Sequence, residues 1–120
     1  MWAGVLTREL PDGGQEFVLD DPVLARLVLD GRVTFRFGLI DVTVSGCFDL
    51  EVDQVRYRCD PGRPDTLAPL LALCPGTARW LWARPDGTLT LECMQGQRLV
   101  VPAPVPAATW SVAPWSAAAG

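Results

Sequence analysis

Polar and apolar residues alternate along most of this chain with a period of two, and turn dipeptides break the alternation. That is the mark of half-buried β-strands. Arg26–Leu29 and Val33–Phe37 flank Asp30-Gly31, a dipeptide that accepts the positive φ angles of a tight primed hairpin turn. In the second of these strands Val33, Phe35 and Phe37 share one face, with Arg32, Thr34 and Arg36 on the other. Apolar parity then switches to Ile40, Val42 and Val44, which requires a turn or bulge at Gly38-Leu39. Phe48, Leu50 and Val52 keep the even parity across Ser45-Gly46, so this stretch reads as a hairpin or as one long strand kinked at Gly46. A second switch at Asp53-Gln54 puts Val55, Tyr57 and Cys59 on odd positions.

One segment breaks the strand pattern. Between Asp60-Pro61-Gly62-Arg63-Pro64 and Pro75-Gly76, the residues Leu67, Leu70, Leu71 and Cys74 fall at i, i+3, i+4 and i+7, predicting a short α-helix around residues 65–74. Asp65 or Thr66 caps its start, and Pro69 falls in the first turn. A further hairpin joins Arg79–Ala83 to Thr88–Cys93 through Arg84-Pro85-Asp86-Gly87, which has the Pro and Gly placement of a type I turn. Gln95-Gly96 leads into Arg98–Val101. After Pro102 the prolines argue against central strand or helix, leaving an extended tail anchored by Trp110 and a disordered end from Ser116. The fold class expected is mainly β, with α+β as the variant: an antiparallel meander of seven or eight strands curled into a sheet or partly open barrel. Residues 1–112 form one domain and 113–120 a flexible tail.

Composition narrows the chemistry. The chain has 120 residues, 49% of them hydrophobic, and a net charge of −4. It therefore has a core of its own and an acidic surface poorly suited to nucleic acid or anionic membrane. His, Lys and Asn are absent and Ile40 is the sole isoleucine. All four residues have AT-rich codons, which points to a GC-rich, bacterial genome. The absences still remove Ser-His-Asp, Cys-His and His-metal chemistry, Schiff-base lysines and the phosphate-loop motif. Cys47, Cys59, Cys74 and Cys93 form no CxxC pair, and nothing resembles a signal peptide or a membrane span. A cytoplasmic protein with reduced thiols, no metal, no cofactor and no assigned catalytic residue is expected, with Cys47 the thiol nearest the surface.

Two constellations stand out. Asp49, Glu51 and Asp53 line one face of a strand, and Arg56 and Arg58 line the next. Pairing of the two strands would align opposite charges, and a solvated sheet face is favoured over a carboxylate pair. Five tryptophans are present, and Trp80 and Trp82 share one face of one strand. If they point inward they are core, the reading favoured by the area an indole buries. If outward, they make an aromatic platform. A half-open barrel would give them a cavity. The candidate binding residues are Trp80, Trp82, Trp110, Arg56, Arg58 and Tyr57.

The order of elements from Asp60 onward resembles a family of small uncharacterised bacterial domains. The matching stretches are Leu67–Leu73, the D-G-T-L-x-L hairpin Asp86–Leu91, Gln95-Gly96, Arg98–Pro102, and Ala107-Ala108-Thr109-Trp110. Gln95 replaces that family's turn Asp, and Ala107–Thr109 replace Tyr-Glu-Ala, so of its Tyr-Glu-Ala-Trp box only Trp110 carries over. Such domains resemble immunity-type proteins of toxin systems, which implies a binding role. The function expected is a non-enzymatic, immunity-like module recognising a protein partner. The alternatives are a cyclase or isomerase with a Trp-lined cavity for a small hydrophobic ligand, and a homodimer assembled through its sheet edge.

Overall fold

The computed structural model describes residues 5–74, 76–103 and 109–114. Trp2, Trp115, the segment 104–108 and the expected disordered end from Ser116 lie outside the described residues. Among the described residues there are eleven strands: β1 Thr7–Glu9, β2 Gln15–Phe17, β3 Val23–Leu29, β4 Val33–Phe37, β5 Ile40–Val44, β6 Phe48–Val52, β7 Val55–Cys59, β8 Gly76–Ala83, β9 Leu89–Cys93, β10 Arg98–Val101 and β11 Trp110–Pro114. Every pairing among them is antiparallel. The main path runs β11-β5-β4-β3-β8-β9-β10-β6-β7, and β1-β2 hangs from β8. The sheet stays open, ending at β11 and β7, and it curls until its two halves face each other. Phe35 on β4 meets Phe48 on β6 edge to face, with ring centroids 6.5 Å apart.

Strand β8 makes the curl possible. Its start pairs with β3 and its end with β2, so one strand edge serves both halves. Between the two, Ala78 opposes Cys93 while Trp80 opposes Glu92, leaving Arg79 as a bulge. The extra residue re-aims the chain, as bulges do. Ala78 is buried before it, and Leu81 and Ala83 are buried after it.

Several turns match expectation and others refine it. The type I turn at Arg84–Gly87 forms, closed by Gly87 N–H donating to the Arg84 carbonyl at 2.9 Å, with Gly87 at φ 93°. The same pattern recurs at Leu10-Pro11-Asp12-Gly13 and Cys93-Met94-Gln95-Gly96. The first of these joins β1 to β2, a hairpin of three-residue strands that the alternation does not reveal. The Asp30-Gly31 turn is no two-residue primed turn: three residues lie between paired Leu29 and Val33, and Gly31 alone among them has positive φ, 88°. At Asp53-Gln54 both residues are left-handed, φ 51° and 67°, the backbone of a primed hairpin turn without glycine. Residues 45–47 form no hairpin, because β5 and β6 do not pair. Nor is it one kinked strand: the strand ends at Val44, residues 45–47 bend, and the chain passes from one half of the sheet to the other.

The helix is a 3-10 helix, Pro64–Leu73, and not an α-helix. Three residues per turn bring Leu67, Leu70 and Leu73 onto one buried face and leave Leu71 70% exposed. Pro69 lies inside it and can donate no hydrogen bond, which removes one bond of an α-helical ladder. Neither Asp65 nor Thr66 caps the start. The Thr66 hydroxyl instead accepts from the Asp60 N–H at 2.8 Å and lies 2.8 Å from the Arg63 carbonyl, pinning the proline-rich loop.

The chain after Pro102 adds a strand. β11 pairs with β5 from Trp110↔Val44 to Pro114↔Ile40. An edge position tolerates Pro114, whose missing N–H can face outward.

Candidate functional site

The two faces of the larger half-sheet, β7-β6-β10-β9-β8, are chemically distinct. The inner face carries Phe48, Leu50, Leu81, Leu89, Leu91, Leu99 and Val101, all at most 2% exposed. On the outer face, cross-strand pairing writes two continuous rows. One runs Arg56, Glu51, Arg98, Glu92, Trp80. The other runs Arg58, Asp49, Val100, Thr90, Trp82, Glu16, Arg8. At about 4.8 Å per strand, Arg56 and Trp80 stand roughly 19 Å apart at opposite ends of one row.

The tryptophan pair is thus outside, against the expectation that burial favours an inward indole. Trp80 is 41% exposed, and Leu81 takes the core position between it and Trp82. The cause is the bulge at Arg79, which keeps that arginine on the surface. The indoles border a shallow notch of about 280 Å³, open to solvent and lined by Leu10, Glu16, Trp80, Trp82 and Glu92. A second depression of about 240 Å³ is lined by Asp49, Glu51, Arg56, Arg98 and Val100. A third, about 220 Å³, opens where β2 and β3 diverge along β8, beside Pro22, Ala78 and Arg79.

The expected charge alignment forms. Asp49 opposes Arg58 and Glu51 opposes Arg56, and Arg58 Nη1 reaches Asp49 Oδ1 at 3.2 Å. Arg8 bonds Glu16 across β1-β2. Both arginines are largely exposed, so each pair contributes under about 1 kcal/mol. Glu92 has no ion-pair partner among the described residues, although Arg98 stands across from it. Thr90, 1% exposed, carries a buried hydroxyl oxygen without a hydrogen-bond partner.

The remaining candidates lie elsewhere. Trp110 is a structural clasp: its Nε1–H donates to the Gly87 carbonyl at 2.8 Å and its ring meets Phe17 edge to face at 6.2 Å. Tyr57 pairs with Leu50 on the inner side and is 37% exposed because β7 is an edge strand. Sequence reasoning passed over Glu16, Glu92, Arg98 and Leu10. The alternation in Arg98–Val101 and Leu89–Cys93 assigns faces within each strand, but only the register puts Glu92 beside Trp80.

Two of the four thiols, Cys59 and Cys93, are buried. Burial is the first cause that pushes Cys59 and Cys93 up to about 11, with Asp49 and Glu92 respectively adding to it. Cys47 and Cys74 are half-buried, and Cys74 Sγ lies 3.7 Å from the Leu24 carbonyl. All four are free. No group of three Cys, Asp or Glu is placed to hold a metal among the described residues. No helix among them is long and apolar enough to cross a membrane.

A family model matches residues 16–116, from β2 through the whole of β11. The chain belongs to DUF6188, a family of unknown function. The match leaves out β1 but takes in β3 to β7 as well as the half on which the sequence resemblance rests. No curated protein and no solved structure matches the chain.

Proposed function

We propose that this DUF6188 domain is a non-enzymatic binding module, immunity-like, that recognises a protein partner through the outer face of β8-β9-β10-β6-β7. The observation that carries this reading is the outward placement of Trp80 and Trp82 on a face whose rows are otherwise mostly charged, with Val100 and Thr90 among them. Large aromatics beside a polar rim are the composition of protein-binding hot spots. Two indoles side by side on one open face make a contiguous aromatic patch, the kind of surface that marks an interaction site.

The cyclase or isomerase alternative requires those indoles to enclose a ligand. Their position on a shallow, open notch favours a partner that covers them from outside.

Photo-crosslinking in the native host tests the reading. A benzoylphenylalanine at position 80 should yield a discrete protein adduct, and the same group at exposed Leu29 on β3 should not. Equal adducts from both positions, or none from position 80 together with a co-purifying small molecule in native mass spectra, would overturn it.

A further inference from the structure

The notch between Trp80 and Trp82 specifies the chemistry of what enters it; the inference rests on the protein-binding reading above. Its lining is Leu10, Trp80 and Trp82 together with two carboxylate residues, Glu16 and Glu92. Neither carboxylate is equivalent to the other. Arg8 already bonds Glu16 across the β1-β2 hairpin. Glu92 is half-buried beside Trp80, its cross-strand neighbour, and has no ion-pair partner among the described residues. A cation placed there would meet both the carboxylate and the ring.

We infer that the notch takes an arginine or lysine side chain of the protein partner, its methylene stem against Trp82 and Leu10 and its charged head between Trp80 and Glu92. A cation over an indole face gains electrostatic attraction that grows as water is excluded, and a charge-assisted hydrogen bond to the carboxylate fixes its direction. An acidic side chain would meet the like charge of Glu92, which has no ion-pair partner among the described residues. A neutral apolar one would leave Glu92 covered and unpaired, which costs free energy. The net charge of −4 over the whole chain steers a basic segment towards this surface.

The test uses the full chain and a displayed library of random twelve-residue peptides, counter-selected on the W80A/W82A double variant. Both substitutions are on the surface, and E92Q preserves size, so the variants are checked for native circular dichroism and then compared directly. The expected result is enrichment of peptides carrying Arg or Lys, whose synthetic forms bind about tenfold more weakly to E92Q, a change of one charge-assisted contact. Replacing the enriched Arg by citrulline should weaken binding similarly. Enriched peptides that depend on Trp80 and Trp82 but lack a basic residue, or are indifferent to E92Q, overturn the cation inference and leave the protein-binding reading standing. Failure to enrich anything over the double variant overturns both.

Discussion

Exchanging the roles of Leu81 and Trp80 in stability is the sharpest consequence of the bulge at Arg79. Leu81 is 1% exposed on the inner face, whereas its neighbour Trp80 is 41% exposed on the outer one. Leu81→Ala removes buried methyl and methylene groups from a closed core, which costs about 2–5 kcal/mol depending on how far the site collapses. Trp80→Ala removes a larger side chain, but one on the open outer face, where cross-strand contacts such as that with Glu92 are worth about 1 kcal/mol or less each. For a domain whose whole stability is on the order of 5–15 kcal/mol, the first change is severe. With a urea slope of about 2 kcal/mol per molar, it lowers the midpoint by about 1–2 M, and the second by about 0.5 M or less. Equilibrium urea denaturation followed by far-ultraviolet circular dichroism reads both. A Trp80→Ala variant less stable than Leu81→Ala would refute the outward assignment, and with it the bulge as its cause.

Other consequences are independent of that one. Asp53 and Gln54 both occupy left-handed backbone, where Asn-Gly is the least strained pair; D53N/Q54G should raise the thermal midpoint by a few degrees, equivalent to about 1 kcal/mol, and an unchanged or lower midpoint counts against the turn geometry. Thr90→Val removes a buried hydroxyl that has no partner in a nearly isosteric side chain, and should stabilise by about 1 kcal/mol; a loss of similar size would mean that the hydroxyl is satisfied in solution. Burial holds Cys59 and Cys93 near 11 in the folded chain, above the ~8.5 of an unfolded thiol. Folded values raised above unfolded ones give stability that is complete below pH ~8.5 and lost as pH climbs towards 11. Under reducing conditions the urea midpoint should therefore fall between pH 8 and 10.5, and fall less in C59A/C93A; equal slopes would contradict the burial of the thiols.

Most of the strands could be read from alternation because each has one buried face, and the turns from Asp-Gly and Pro-Asp-Gly because their φ demands are local. The places where reading failed have a common cause: the deciding fact is tertiary or is a change of period. The alternation around Trp80 gives two candidate faces, and the single bulged residue that chooses between them leaves no mark in composition. Leu67, Leu70 and Leu71 suit an α-helix, yet Leu73, three residues beyond Leu70, completes a three-residue repeat that buries Leu67, Leu70 and Leu73. β11 escaped because Pro114 argues against strand except at an edge, and edges are defined only by the assembled sheet. The three-residue strands β1 and β2 are too short to alternate visibly, although Pro11-Asp12-Gly13 repeats the signal of Pro85-Asp86-Gly87. Of the candidate site, the charge rows on β6 and β7 were legible. The neighbourhood of Trp80 with Glu92 was not, because it depends on the register of β8 against β9.

The indole N–H resonances offer the most direct view of whether the outer face is the binding surface. Trp110 is locked to the Gly87 carbonyl, whereas Trp80 and Trp82 border the open notch. Two-dimensional spectra, assigned through single tryptophan variants, would be recorded with and without a saturating library-selected peptide or captured partner. The signals of Trp80 and Trp82 should move while that of Trp110 stays in place. A shifted Trp110 beside unmoved Trp80 and Trp82 would put the binding surface elsewhere on the sheet.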